Sequence, residues 1–286
     1  MAFRTVVVDT RCKLELKMNY LVFRGEEVKR VFIDEISTLL IATPAVTITG
    51  MLLSELVKHG VKVIFCDEKH NPQMELLPYY DNYITSKKIL NQIQWDENIK
   101  KQVWTKIVKQ KILMQAKFLL ELGFGKEYSM LMQYADECEL NDSTNREGHS
   151  AKVYFNTIFA DGWHRGCEDF KDRALNYGYT ILLSAFNREI IKCGYLTQLG
   201  IWHKNPFNNF NLSSDLMEPF RILIDKIVLT LDENDKEYKL KLINVLNQKV
   251  FIDGKEQLVT TAIEIYVNSV FRCLNEQDIS LIKFYD

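Results

Sequence analysis

His203 sits in Gly200-Ile201-Trp202-His203-Lys204-Asn205-Pro206-Phe207, a polar, asparagine-rich stretch, and Asp215 and Glu218 follow it at i, i+3 spacing. Upstream, Arg146-Glu147-Gly148 opens another helix-like run. One imidazole plus several carboxylates is oxygen-rich ligation with a single borderline nitrogen, which suits Mg²⁺ or Mn²⁺ better than Zn²⁺. A centre of that kind points to metal-dependent phosphodiester chemistry.

Each residue also has a plainer reading. On a helix, Glu147, Ala151, Tyr154 and Phe155 share a face. The two aromatics should point into the core and draw Glu147 inward, where a carboxylate needs a partner. A first-turn acid favoured by the helix dipole explains Glu147 at least as well. His203 is distinguished by its company, Trp202, Lys204 and the asparagines 205, 208 and 209. Neutral imidazole is a good ligand, and Lys204 beside it could meet a phosphate. His59, His70 and His164 lack such neighbours; His149, two residues after Glu147, is the nearest exception. Ser213-Ser214-Asp215 followed by Glu218 reads as an N-cap with a capping-box glutamate, and Pro219 belongs in a first helical turn. Read chemically, the same two carboxylates share a face, can reach one cation, and bring Arg221 near enough to hold a phosphate. The spacing does not choose between these readings. Lys100, Lys101, Lys106, Lys109, Lys111 and Lys117 lie between Ile99 and Phe118 with no acidic residue among them. Such runs are usually solvated faces. Lys111 and Gln115, however, fall on the apolar seam, where a lysine either snorkels or faces a site. With Lys87 and Lys88 the strip could neutralise DNA phosphates.

These residues need elements to hold them. Residues 3 to about 80 read as mainly strand. Thr5 to Val8 is β-branched, Lys13 to Met18 alternates with period two, and Leu21 to Phe23, Val28 to Ile33 and Thr38 to Ile41 continue the theme around a turn at Gly25. Thr47 to His59 reads as a helix stopped by Gly60. Val61 to Cys66 is a buried strand, and Met74 to Leu77 another. Helical periodicity begins near Tyr83. Trp104, Ile107, Val108, Ile112, Leu119 and Leu122 share one face, with breaks at Gly123 and Gly125. Ala135 to Arg146 reads as a loop, Glu147 to Phe159 and Asp172 to Cys193 as helices, and Val250 to Lys255 as a hairpin turned at Asp-Gly. Val259 to Leu274 is an amphipathic helix. The expected class is α+β: a β-rich domain over residues 1–80, a linker and first helix over 81–99, and an α-helical catalytic domain over 100–286.

The 286 residues are 47% hydrophobic and 26% charged, ordinary for a globular chain with a normal core. The formal net charge of −2 gives no global basic signal, so any nucleic acid would be held by local patches. Cys12, Cys66, Cys138, Cys167, Cys193 and Cys273 are scattered, with no zinc-like spacing. They read as reduced thiols of a cytoplasmic protein. Neither a secretory leader nor a membrane span is expected.

Taken in order, the combination is more specific than its parts: Lys111-Ile112 with Gln115, Glu147-Gly148 with Tyr154-Phe155, Asp172-Arg173-Ala174-Leu175-Asn176-Tyr177-Gly178-Tyr179, His203, and Asp215 to Arg221. This resembles the CRISPR-associated spacer integrases over nearly the whole chain. The length and the Gly-Ile-Trp-His-Lys-Asn-Pro-Phe-Asn segment are most similar to the type II branch. The resemblance implies a bacterial, cytoplasmic homodimer joined through the β domains. Glu147, His203 and Glu218 would be both metal ligands and catalytic residues, holding one Mg²⁺ or Mn²⁺ with Asp215 close by. Lys111, Tyr154, Arg173, Lys204 and Arg221 would face DNA. Two dimers would flank a dimer of a small adaptation subunit and carry a duplex with single-stranded 3′ ends. The 3′-hydroxyl of that DNA would attack a phosphodiester at the edge of a CRISPR repeat. His149-Ser150 after Glu147-Gly148, Ile222 after Arg221, and Met114 in the Lys-Ile segment depart from the family pattern, but none is a ligand. Two other functions use the same residues: a structure-specific nuclease of DNA repair with water as nucleophile, and a non-enzymatic dimeric DNA scaffold whose carboxylates only cap helices.

Overall fold

The computed structural model describes residues 4–68, 71–76, 78, 85–159 and 162–286. The composition change near Tyr80, the helical onset at Tyr83 and the strand end at Leu77 lie outside the described residues. The chain divides into two compact units, Met1–Asp81 and Asn82–Asp286. The first is rich in strand and the second mostly helical, so the class is α+β.

The first unit runs β1 (Arg4–Val8), β2 (Cys12–Lys17), β3 (Tyr20–Arg24), β4 (Val28–Phe32), β5 (Ile36–Ile41), β6 (Val46–Ile48), α1 (Gly50–Lys58), β7 (Lys62–Cys66) and β8 (Pro72–Leu76). Its sheets are ordered β1-β5-β7-β8 and β4-β3-β2-β6. In the first sheet β1, β5 and β7 are parallel and β8 returns antiparallel. In the second, β2, β3 and β4 form an antiparallel meander, with β6 parallel to β2. Leu14 and Leu21 from one sheet, Ile36, Leu39, Ile41 and Val63 from the other, and Leu52 and Leu56 of α1 form one core. The helix expected from Thr47 starts only at Gly50. Val46, Thr47 and Ile48 are all β-branched and pair with β2 instead. Thr49 then caps the helix, its hydroxyl accepting from Leu52 N–H at 3.3 Å.

The second unit contains α2 (Thr85–Ile93), α3 (Glu97–Glu121), α4 (Gly125–Asp136), α5 (Arg146–Ile158), α6 (Phe170–Lys192), α7 (Asn211–Met217), α8 (Arg221–Thr230), α9 (Tyr238–Ile243), the hairpin β9 (Lys249–Ile252) and β10 (Lys255–Leu258), and α10 (Val259–Glu276). Asp96 starts α3 by accepting from Asn98 and Ile99 N–H, both at 2.9 Å. Trp104, Ile107, Val108, Ile112 and Leu119 are buried along it, but Leu122, expected on the same face, is the exposed C-cap. α3 is the central helix of this unit, packing on α4, α5, α7, α8 and α10. The polar stretch expected as a loop from Ala135 begins inside α4 and then makes a 3₁₀ turn at Leu140–Asp142. In α4 only Leu131 and Ala135 are buried, too sparse a stripe to announce a helix. Asp253 and Gly254 have φ of 53° and 76°, the two left-handed positions of a tight hairpin turn. No helix among the described residues is long and apolar enough to cross a membrane.

α6 and α8 meet at Gly178, where a Cβ would lie 2.5 Å from Cγ2 and 2.9 Å from Cδ1 of buried Ile224. The site residues on these helices depend on that approach. Gly178→Val is expected to cost roughly 1–3 kcal/mol by overpacking. Denaturant titration checks this, and adding Ile224→Ala should recover part of the loss.

Candidate active site

Four helical segments converge on two carboxylates. Glu147 lies in the first turn of α5. That turn is fixed by buried Asp142, whose carboxylate accepts from Arg146 N–H at 2.8 Å and Glu147 N–H at 3.1 Å. Glu218 is buried in the 3₁₀ turn Glu218–Phe220 that joins α7 to α8. Lys111 of α3 pairs with Glu147 Oε1 and lies 2.6 Å from Glu218 Oε2. Arg221 Nε donates to Glu218 Oε1 at 2.8 Å. Burial pushes the Glu218 carboxyl up, but Arg221 and Lys111 together outweigh it and hold it at about 2. Burial likewise opposes the charge on Lys111, and Glu218 and Glu147 reverse this to a net rise. The dipole reading of Glu147 therefore holds alongside a second role, because its side chain is committed to a buried cation. The snorkelling reading of Lys111 fails: its ammonium is buried between two acids.

His203 is held next to this pair by a different carboxylate. Asp215, 0% exposed, accepts from Ile201 N–H at 2.6 Å, Trp202 N–H at 2.9 Å and His203 N–H at 3.2 Å. It also bonds His203 Nδ1 at 2.5 Å. An ionised carboxylate only accepts, so Nδ1 carries the proton and the Nε2 lone pair is left for a ligand. Asp215 is the main cause of the raised His203 pKa; burial opposes it, and Glu218 and Glu147 add to it. Trp104 of α3 stacks on Trp202 at 5.6 Å and meets the His203 ring edge-on at 5.7 Å. Gly200 permits the fold of this loop: a Cβ there would lie 2.3 Å from His203 O and 2.8 Å from Asp215 Oδ2. The capping-box reading of Asp215 and Glu218 is thereby corrected. α7 already spans Asn211–Met217, so Asp215 is internal to a helix and binds the preceding loop at residues 201–203, while Glu218 binds Lys111 and Arg221.

Two residues near the site were not anticipated. Arg165 and Arg221 both lie over the Tyr179 ring, at 5.2 Å and 4.5 Å, and Arg165 also pairs with Asp172 at 3.0 Å. Asp225, fully buried on α8, accepts from Tyr179 Oη at 2.5 Å. Burial raises its carboxyl to about 6, although Tyr179 and Tyr154 favour the charged form. The expected DNA contact at Tyr154 is corrected: the ring is completely buried against Phe118 and Phe155. Phe155, expected in the core, is instead half-buried and lines the cleft. Arg173 is exposed, bonding Glu168 O and Glu233, while Arg165 lines the cleft. Lys204 is also exposed.

A folded pKa raised above the unfolded 3.8 weakens stability as pH climbs through the interval between them. For Asp225 that interval is about 4 to 6, and the difference corresponds to roughly 3 kcal/mol at 1.36 per pH unit. Asp225→Asn keeps the shape and an acceptor for Tyr179. Relative to wild type it is expected to gain stability between pH 4 and pH 7. Urea titrations at the two pH values check this; equal differences at both would contradict it.

Lys111, Glu147, Arg165, Tyr179, Glu218, Arg221 and Asp225 line one cleft of about 220 Å³. His203 and Lys204 line a second cavity of about 400 Å³ with Lys100 and several amide side chains. Two carboxylates and an oriented imidazole are the donor chemistry of Mg²⁺ or Mn²⁺, and the ammonium between the acids shows that a cation is favoured there. As they stand, no three His, Cys, Asp or Glu side chains among the described residues form a group that could hold a metal ion. Lys111 takes up the space between two of the expected ligands.

A family model described as CRISPR associated protein Cas1 matches residues 5–257. The chain is 31% identical over 291 residues to the CRISPR-associated endonuclease Cas1 of Neisseria meningitidis serogroup C (strain 8013), covering 99% of this chain and 96% of that one. Among solved structures, a casposase bound to integration product matches with TM-score 0.79 and 18% identity, covering 96% of this chain and 92% of that one. A Cas6-RT-Cas1–Cas2 complex matches with TM-score 0.75 and 17% identity, covering 98% of this chain but only 36% of that longer one. At these identities the two structures speak for the fold alone. The family match, running from β1 to β10 and so across the lysine, both glutamates and the histidine of the cleft, establishes that the chain belongs to the Cas1 family.

Proposed function

We propose that this protein is a divalent-metal-dependent DNA integrase that joins short DNA fragments to CRISPR repeats by transesterification. The observation that carries the reading is the Glu147–Lys111–Glu218 cluster in a cleft also lined by Arg165 and Arg221, with an Asp215-oriented His203 whose charge both glutamates favour. Glu147, Glu218 and His203 Nε2 would hold Mg²⁺ or Mn²⁺. When bound, such an ion supplies charge stabilisation at the reacting phosphate and lowers the pKa of a coordinated hydroxyl.

The chain's own residues do the rest. Arg165 and Arg221, braced on Tyr179, present guanidinium groups to a phosphate. Lys204, exposed beside His203, meets the adjoining backbone. Asp215 fixes the imidazole tautomer and ring direction. Phe155 narrows the cleft and limits water. One phosphodiester replaces another, so no external energy source is required. The long-range partners of Asp215 and Glu218, a loop and two cations rather than helix ends, support the enzymatic reading over a scaffold whose carboxylates only cap helices.

The name of the Cas1–Cas2 complex supports a small Cas2-like partner, and the casposase bound to integration product supports a DNA substrate. The partnership we propose is two homodimers around a partner dimer, carrying a duplex with single-stranded 3′ ends. Each homodimer would be joined through the sheets of the first unit about a two-fold axis. The Gly200–Phe207 segment favours the type II branch.

Incubation of a labelled donor duplex with a supercoiled repeat-bearing plasmid and the partner subunit tests this reading. Donor covalently joined at the repeat supports it; nicking without joining would point to the hydrolytic nuclease. Replacing Lys204 and Arg221 together with alanine should weaken DNA binding and lower the salt slope by about one for each phosphate no longer neutralised. An unchanged slope would move the DNA path elsewhere.

A further inference from the structure

The ammonium of Lys111 is buried between Glu147 Oε1 and Glu218 Oε2, with the second contact at 2.6 Å. A divalent ion held by these acids would compete for Glu218, whose two oxygens are taken by Arg221 and Lys111, and for Glu147 Oε1. Mg²⁺ approaches carboxylate oxygen to about 2.0–2.1 Å, leaving no room for an ammonium at hydrogen-bond distance in the same gap. The two cations also repel strongly at such separation in a buried setting. We infer that Lys111 is the resident counter-ion of the metal-free site and competes with the divalent ion for Glu147 and Glu218, so that metal loading expels its ammonium into the cleft. This rests on the metal reading above and adds to it a role for a residue otherwise expected only to touch DNA.

The surroundings suit a displaceable group. Lysine carries its charge on a flexible four-carbon stem with freely rotating donors. The adjoining cleft, about 220 Å³ and lined by Lys111 itself, gives the stem somewhere to swing. Arg221 could not do the same, because its guanidinium is held by Glu218 Oε1 and the Tyr179 ring. Before metal arrives, Lys111 bridges the two acids with its own positive charge. After metal arrives, its ammonium stands where a phosphate enters. Emptying and filling of the site are thus coupled to the charge that the cleft shows to DNA.

The test uses the purified full-length protein without DNA. Free Mn²⁺ is followed by its electron paramagnetic resonance signal during titration of wild type, Lys111→Met and Lys111→Arg. Lys111→Met is expected to bind Mn²⁺ about tenfold more tightly, the ordinary scale of coupling between linked binding events. Lys111→Arg, which keeps the charge, should bind no more tightly than wild type. In parallel, wild type is treated with an amine-acylating reagent with EDTA or saturating Mg²⁺, and Lys111 is quantified by peptide mass spectrometry. Acylation should rise several-fold with Mg²⁺. A folded Lys111→Met protein with equal or weaker Mn²⁺ affinity would overturn the inference, as would acylation unchanged by Mg²⁺. Should Lys111→Met not fold, the wild-type labelling decides. A wild-type chain that binds neither ion defeats the metal reading itself; one that binds without releasing Lys111 defeats this inference alone.

Discussion

Alanine at Glu147, His203 or Glu218 is expected to lower strand transfer by roughly a thousandfold or more, the scale set by removal of a single charge-stabilising group. The three should differ in what else they do. Glu147 is half-buried at a helix start and His203 half-buried in a loop, so both variants should keep the wild-type fold. Glu218 is buried against Lys111 and Arg221, and its removal leaves those cations without a shared acid. That change should cost roughly 3–5 kcal/mol, and Glu218→Gln separates it from the chemistry by keeping the shape. Melting curves beside joining assays check both parts. A folded His203→Ala protein joining DNA at the normal rate with Mn²⁺ would show that the site is misassigned.

The second large effect belongs to Asp215, which is not itself a proposed ligand. Its carboxylate holds three backbone N–H groups and one imidazole N–H. Asp215→Ala strands those donors, the first of them buried, at roughly 1–3 kcal/mol for each buried one. It also frees the imidazole to rotate. The expected result is loss of joining as complete as for His203→Ala, together with a lower melting temperature that His203→Ala does not show. Gly200→Ala should reproduce this from the other side, since its Cβ would collide with the His203 carbonyl and Asp215. Normal activity in a folded Asp215→Ala protein would mean that the histidine needs no such support.

The sequence carried much of this site, for physical reasons that differ by residue. His203 was visible because a histidine among asparagines has no packing role to explain it. Lys111 was visible as a lysine on an apolar seam, but nothing local could name its partners, which lie 36 residues away in α5 and beyond in the Glu218 turn. Asp215 and Glu218 were legible as a pair and illegible in role, because i, i+3 acids beside serine fit a helix cap as well as long-range contacts. Tyr154 shows the limit of a motif: order along the chain does not say which side chain faces outward and which is sealed in the core. Arg165 lies in an irregular stretch with no periodicity to read. Asp225 did leave a signal, a lone acid between the apolar runs Ile222-Leu223-Ile224 and Ile227-Val228-Leu229 with only Lys226 beside it, a setting in which a carboxylate is often buried and partnered. Among the elements, the start of α1 was misplaced because the β-branched triplet before Thr49 was read with the helix it precedes.

Whether the cleft moves a phosphodiester bond from one DNA oxygen to another is decided by offering the protein and its partner two otherwise identical donors, one ending in a 3′-hydroxyl and one in a 3′-deoxy residue, with a repeat-bearing plasmid and Mn²⁺. Donor should be covalently joined at the repeat edge with the hydroxyl donor, not with the deoxy donor, and with neither in EDTA. Plasmid cleavage that is equal with both donors and yields no joined product would contradict such a transfer.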